Sequence, residues 1–149
     1  MLVLQSFACT ILTMVGDKVV VGRTMEWRTH WDWRLEYIPA NTKYTVSAPA
    51  STELPNKTLT SKYSVLGFSI KDDHLKMIFG GQNNQGLNVS VNYMDNTDKY
   101  QSVNKNDKYY VSIAELAHML LSQYKDTASV KLALQKYKVW GTLNSQLTI

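Results

Sequence analysis

The feature that most limits what this chain can fold into is a change of hydrophobic period at Ser112. Before it, apolar residues come in short β-rich runs broken by turn formers; after it, they recur at helical spacing. Cys9 to Met14 and Val19 to Met25 are two such runs, separated by Val15-Gly16-Asp17-Lys18, a stretch of hairpin length that predicts antiparallel pairing. Arg34 to Ile38 stops at Pro39 and Tyr44 to Ser47 stops before Pro49, after which a polar Ser/Thr/Pro/Asn loop is expected to about Ser61. Tyr63 to Ile70, Leu75 to Phe79 and Leu87 to Tyr93 read as further strands, the last introduced by the turn formers Asn83-Asn84-Gln85-Gly86. The polar tract Asp95 to Lys108 reads as a surface loop.

From Ser112 the hydroxyl can cap a helix whose third residue is Glu115, and Ile113, Leu116, Ala117, Leu120 and Leu121 then share one face to about Tyr124. Asp126 can cap a second helix with Val130, Ala133, Leu134 and Tyr137 on one face, its pattern fading around Val139-Trp140-Gly141. Antiparallel strands followed by two packed helices place the chain in the α+β class. No internal repeat is visible.

At 149 residues the chain is long enough for one compact unit, and its 44% hydrophobic content excludes disorder and low-complexity sequence. The longest apolar runs, Val19 to Val21 and Ala117 to Leu121, fall far short of the ~18 residues of a membrane span, so none is expected. The net charge of +4 comes from lysines spread from Lys18 to Lys138, whereas nucleic-acid binding concentrates basic residues on one face; no nucleic-acid partner is expected. The single cysteine, Cys9, can close no intramolecular disulfide and build no cysteine zinc site. It is either a packed small hydrophobe or a reactive thiol.

Residues 1 to 8 carry no charged side chain, and Ser6-Phe7-Ala8 is like the small-x-small end of a secretory signal. Two readings stand: the tail of a signal peptide or propeptide, or a first strand running into Cys9-Thr10-Ile11-Leu12. On the first, cleavage after Ala8 leaves Cys9 as the amino terminus of a periplasmic or secreted protein; on the second the chain is cytoplasmic. An amino-terminal cysteine carries its own base, an α-amino group of pKa about 7.7–8.0. Arg23 on the partner strand can lower the thiol pKa and Glu26 can orient the ammonium, although such a pair is also a common structural ion pair.

Taken together, these residues resemble a known family. Cys9-Thr10 after a cleavable-looking stub, then Gly22-Arg23-Thr24-Met25-Glu26-Trp27, looks like the start of the choloylglycine hydrolase and penicillin V acylase family. Gly81-Gln82-Asn83-Asn84-Gln85-Gly86-Leu87, leading to Val89 to Tyr93, resembles that family's "GMNEKGL" strand, and Ile38-Pro39, Lys62-Tyr63 and Val130 to Leu134 agree in order and spacing. The resemblance implies an N-terminal nucleophile hydrolase with a four-layer αββα sandwich, cleaving the linear amide of a small acyl-amide substrate without a cofactor. Residues 9–149 would be the N-terminal part of that domain. Cys9 would be the nucleophile, Arg23 its neighbouring arginine, and Glu26 would stand where the family usually has Asp, one methylene longer. Tyr93 falls where the acylases carry Tyr and the bile-salt hydrolases Asn; Asn92 is adjacent and takes that place if the register slips by one. Met25, Trp27 and Asn92 would contact substrate. Family members are longer, and their second half supplies an oxyanion-hole asparagine, a second arginine and further strands. A chain ending at Ile149 is therefore expected to be truncated to the N-terminal half, with open sheet edges that favour a homo-oligomer. A catalytically inactive fragment is the alternative.

The remaining polar and aromatic residues have structural readings. Trp27, Trp31 and Trp33 with Tyr37 form core, a pocket rim or an acyl-binding platform. His30, Asp32, Asp72, Asp73 and His74 match no metal-ligand spacing, so no metal is expected. His118 has a surface or helix-packing role, and Asn88-Val89-Ser90 is a glycosylation sequon inside a predicted strand.

Overall fold

In the computed structural model the described residues are 10–24, 31–70, 77–92 and 100–141. They fall into two compact units, Met1–Trp31 and Asp32–Ile149, each described by itself.

The first unit holds an antiparallel hairpin of β1 (Ile11–Val15) and β2 (Val19–Arg23), with Val15 opposite Val19 and Ile11 opposite Arg23. The turn residues are Gly16, Asp17 and Lys18; Val15, read from the sequence as part of the turn, is the last residue of β1.

In the second unit, β3 (Trp33–Ile38), β6 (Val65–Ile70), β7 (Ile78–Asn83) and β8 (Asn88–Ser90) form an antiparallel sheet in the order β3-β6-β7-β8. β4 (Lys43–Val46) pairs with β5 (Lys57–Thr60) as a separate antiparallel ladder. β5 lies inside the stretch expected to be loop. Its sequence Lys57-Thr58-Leu59-Thr60 is polar, but it alternates half-buried and exposed positions against β4, and Leu59 reaches the core. β9 (Tyr110–Ser112) precedes α1 (Ile113–Gln123) and α2 (Thr127–Leu134), and β10 (Lys138–Trp140) returns parallel to β9. This short parallel pair also departs from the sequence reading, which took Val139-Trp140 as the fading end of a helix; three-residue strands carry too little periodicity to be seen.

Alternation in β6 sets the layers. Val65, Gly67 and Ser69 are buried while Leu66 and Phe68 are exposed. Val65, Ile78 and Leu87 meet Ala117 and Leu121 of α1 in one core, and Val46, Val111, Met119 and Leu120 form a second. Val130 of α2 packs against both, whereas Leu134, expected on the same apolar face, is 40% exposed. The other face of the four-stranded sheet carries Trp33, Leu35, Tyr37, Leu66 and Phe68, all exposed. A sheet apolar on both faces is the pattern of an inner layer of a sandwich.

The helix caps are those expected, with one change. Ser112 Oγ accepts the Glu115 N–H at 3.3 Å and donates to the Glu115 carboxylate at 2.6 Å. That carboxylate also accepts the Ser47 backbone N–H and, at 2.7 Å, the Ser47 hydroxyl, so it ties the end of β4 to the start of α1. Asp126 and Ser129 form the complete reciprocal capping box at α2. Glu115→Ala removes these acceptors from a half-buried site and is expected to cost about 2 kcal/mol in urea unfolding. A loss below about 0.5 kcal/mol would show that water replaces the carboxylate freely.

Candidate functional site

The sequence-predicted site begins at the open end of the β1–β2 hairpin. Beyond the last ladder pair, Thr10 N–H donates to Thr24 Oγ1 at 3.0 Å and Thr24 N–H donates to the Thr10 carbonyl at 3.0 Å. The backbone adjoining Cys9 in sequence is therefore held across the hairpin, and a threonine on each side closes it. Arg23 is half-buried at this end, opposite Ile11. Asp17 and Lys18 sit at the turn, so among the described residues of the hairpin Arg23 is the charged side chain nearest the Thr10 end. Cys9, Met25, Glu26 and Trp27 lie outside the described residues.

The second candidate block is on β7 and β8. Pairing runs Gly80 opposite Ser90, Gly81 opposite Val89 and Gln82 opposite Asn88, and continues through Val91, whose N–H donates to the Phe79 carbonyl at 2.9 Å. Asn92 follows directly and is exposed; Tyr93 lies outside the described residues. The half-buried Asn88-Val89-Ser90 sequon is β8 itself. Trp33 meets Phe79 edge to face, with ring centroids 5.3 Å apart, while Tyr37 is exposed. Among the described residues no group of three His, Cys, Asp or Glu side chains could hold a metal ion; His30, Asp72, Asp73 and His74 lie outside them. Among the described residues no helix is long and apolar enough to cross a membrane.

The structure assigns a different task to the residue at the centre of the Gly81 to Leu87 block. Asn83 is 4% exposed, and its Oδ1 accepts the N–H groups of Gln85 and Leu87, both at 3.0 Å. Its Nδ2 donates to the carbonyls of Leu121 at 2.8 Å and Tyr124 at 2.7 Å, two of the orphan acceptors at the end of α1. Lys62 and Tyr63 donate their N–H groups to the Ser122 carbonyl at 2.8 and 3.1 Å. Thus two of the sequence blocks that carry the family resemblance converge on one helix end. The turn formers around Asn83 were visible in the sequence; its link to α1, across about forty residues, was not.

Other ionisable groups are shifted by burial. Tyr137 is pushed up to about 12, first by burial and then by its tyrosine neighbours, Tyr124 foremost. Burial likewise raises Tyr44, and it lowers His118 against the opposing pull of Glu115 and Glu36.

Comparison with known proteins places this arrangement. A model of the linear amide C-N hydrolases, choloylglycine hydrolase family, matches residues 9–148. Among solved structures, two variants of the conjugated bile acid hydrolase of Clostridium perfringens are 22% and 21% identical, with TM-scores of 0.66 and 0.67. The chain is covered over 81% and 89% of its length in these matches, which take in 35% and 39% of the hydrolase chains. Penicillin V acylase of Agrobacterium tumefaciens is 19% identical, with a TM-score of 0.67 over 89% of this chain and 40% of that one. The chain therefore spans well under half the length of the solved structures it matches. A search of curated proteins finds no match.

Proposed function

The chain belongs to the choloylglycine hydrolase family of linear amide C-N hydrolases, and we propose from that premise that it carries the nucleophile end of an amidase that uses Cys9. One observation carries the proposal: the family match begins at residue 9, which is the chain's single cysteine. Removal of residues 1–8 frees the Cys9 α-amine, and a chain processed in this way is exported to the periplasm or secreted.

Cys9 Sγ attacks the acyl carbonyl carbon, and the thiol proton passes to the Cys9 amine. The C–N bond breaks as that proton moves to the leaving nitrogen, which departs as a free amine and leaves a thioester. Water then adds to the thioester, giving a proton to the amine; the carboxylic acid departs and the thiol is restored. Arg23 favours the thiolate by its charge, and Glu26 orients the ammonium. Tyr93, with Asn92 beside it, hydrogen-bonds the developing oxyanion, while Met25 and Trp27 border the acyl group. Substrates are small acyl amides of the kinds named for the solved relatives, a conjugated bile acid or penicillin V. The apolar sheet face and strand edges favour a homo-oligomer.

A second reading is a member of the family with no amidase activity of its own. One experiment separates the two. Protein verified by mass to begin at Cys9 is mixed with a glycine-conjugated bile acid or phenoxymethylpenicillin, acid-quenched and weighed intact. An acyl adduct mapped to Cys9, with release of the matching amine, supports the amidase. Absence of both adduct and amine supports the second reading.

A further inference from the structure

We propose that the β4–β5 hairpin is an acid-releasable strap on α1, opened by protonation of His118. Glu115, His118 and Ser122 follow one another on a single stripe of α1, at spacings of three and four residues, and Gln123 stands beside them. Each of the four side chains engages the hairpin or the chain just after β4. Glu115 takes the Ser47 N–H and hydroxyl; Ser122 Oγ shares a 2.7 Å hydrogen bond with Tyr44 Oη. Gln123 Nε2 donates to Tyr44 Oη at 3.1 Å and to the Thr60 carbonyl at 2.8 Å. His118 lies against the Tyr44 ring, with centroids 4.3 Å apart and planes tilted by 31°.

His118 is the titratable member of this contact in the mildly acidic range. Its Nε2 is buried and has no hydrogen-bond partner among the described residues. A neutral imidazole can leave a ring nitrogen dry at modest cost, but an imidazolium must carry an N–H at both nitrogens, and this one would point at no acceptor. The ionisable groups facing it are Tyr44 from β4, Glu115 from its own helix and Glu36 from β3. The two carboxylates favour the cation, burial opposes it, and burial prevails. Glu36 is also engaged, accepting the Ser69 hydroxyl at 2.6 Å. Tyr44 stays protonated throughout, because burial raises it.

The sign of the effect follows from where the proton prefers to be. An opened hairpin exposes His118 to water, where it titrates near the ordinary imidazole value of about 6.5; the strapped state takes the proton only below that. Strapping is therefore complete above about pH 6.5 and weakens as pH falls below it, by up to tenfold per pH unit until the strapped imidazole also titrates.

The test is hydrogen exchange on the 149-residue chain at pH 7.5 and 5.5, corrected for the intrinsic pH dependence of exchange, with an imidazole NMR titration of His118 beside it. Protection of the Tyr44–Val46 and Thr58–Thr60 amides is expected to fall about tenfold at pH 5.5 while β6 and β7 amides hold theirs. His118→Phe, which keeps a ring against Tyr44 and cannot titrate, is expected to remove the difference. Unchanged protection at pH 5.5 overturns the strap, as does an equal fall in His118→Phe or one shared by β6 and β7. Should His118→Phe not fold, the parent titration decides: an imidazole titrating at or above its ordinary value, with hairpin amides unmoved, also overturns it.

Discussion

Asn83→Ala is expected to lower the stability of the second unit by about 4 kcal/mol, the sum of four hydrogen bonds at roughly 1 kcal/mol each. The substitution deletes two acceptor and two donor contacts of a side chain that is almost wholly buried. The partners it abandons are backbone groups: the N–H groups of Gln85 and Leu87 inside the β7–β8 turn, and the carbonyls of Leu121 and Tyr124 at the end of α1. Leu87 is a core residue, so its N–H gains little from water in exchange. For a chain of this length the loss corresponds to roughly 12 °C in Tm, measurable by calorimetry. Asn83→Asp discriminates the donor half from the acceptor half. It keeps Oδ1 for the turn but turns a second oxygen toward two carbonyls, and its carboxylate is stranded in a buried site unless protonated. Its folded pKa is therefore raised, so the variant is expected to be most nearly native below about pH 4 and to lose stability as pH rises through the carboxylate range. A Tm drop of less than about 3 °C for Asn83→Ala would mean that the turn and the helix end hold without their shared side chain.

This residue also shows how far the sequence could be read. Sequence pattern located β1 to β4, β6 and both helices, because each strand has four or more residues rich in apolar and β-branched side chains and bounded by turn formers, and each helix has a cap beside it. It missed β5, where the threonines alternate with Lys57 and Leu59 and leave little hydrophobic contrast, and the three-residue strands β9 and β10. It took Asn83 to Gly86 as a turn, whereas Asn83 is the last residue of β7, and the left-handed position, at φ 85°, is Gly86. Motif resemblance found the family where periodicity was silent. Yet in the Gly81 to Leu87 block and at Lys62-Tyr63, what the described structure shows is the anchoring of α1, not chemistry. Of the seven candidate site residues, Arg23 and Asn92 fall within the described residues, Arg23 in the hairpin unit and Asn92 in the sheet unit. His118 was legible as a helix residue. Its stack on Tyr44 was not, because nothing in local spacing reports a partner seventy-four positions away.

Gly81→Ala is expected to cost about 3 kcal/mol, at the upper end for added methyl groups in a packed interior, because the obstruction is backbone. Gly81 sits directly opposite Gly67 in the β6–β7 ladder. A methyl on Gly81 would run into the Leu66 carbonyl oxygen and lie 2.8 Å from the Gly67 Cα. No side-chain rotation relieves either contact, so the two central strands must separate, and with them the surface on which α1 rests. Gly67→Ala supplies the internal comparison. Its methyl would meet Ile78 Cγ2 at 2.9 Å and Cδ1 at 3.3 Å, atoms of a side chain that can turn, and a smaller cost of about 1 kcal/mol is expected. Both substitutions reduce the freedom of the unfolded chain equally, so that contribution cancels in the difference. Urea unfolding of the two variants reads the ordering directly. Equal losses would mean that the strands slide apart as easily as Ile78 rotates, and the paired glycines would then no longer account for the close approach of β6 and β7.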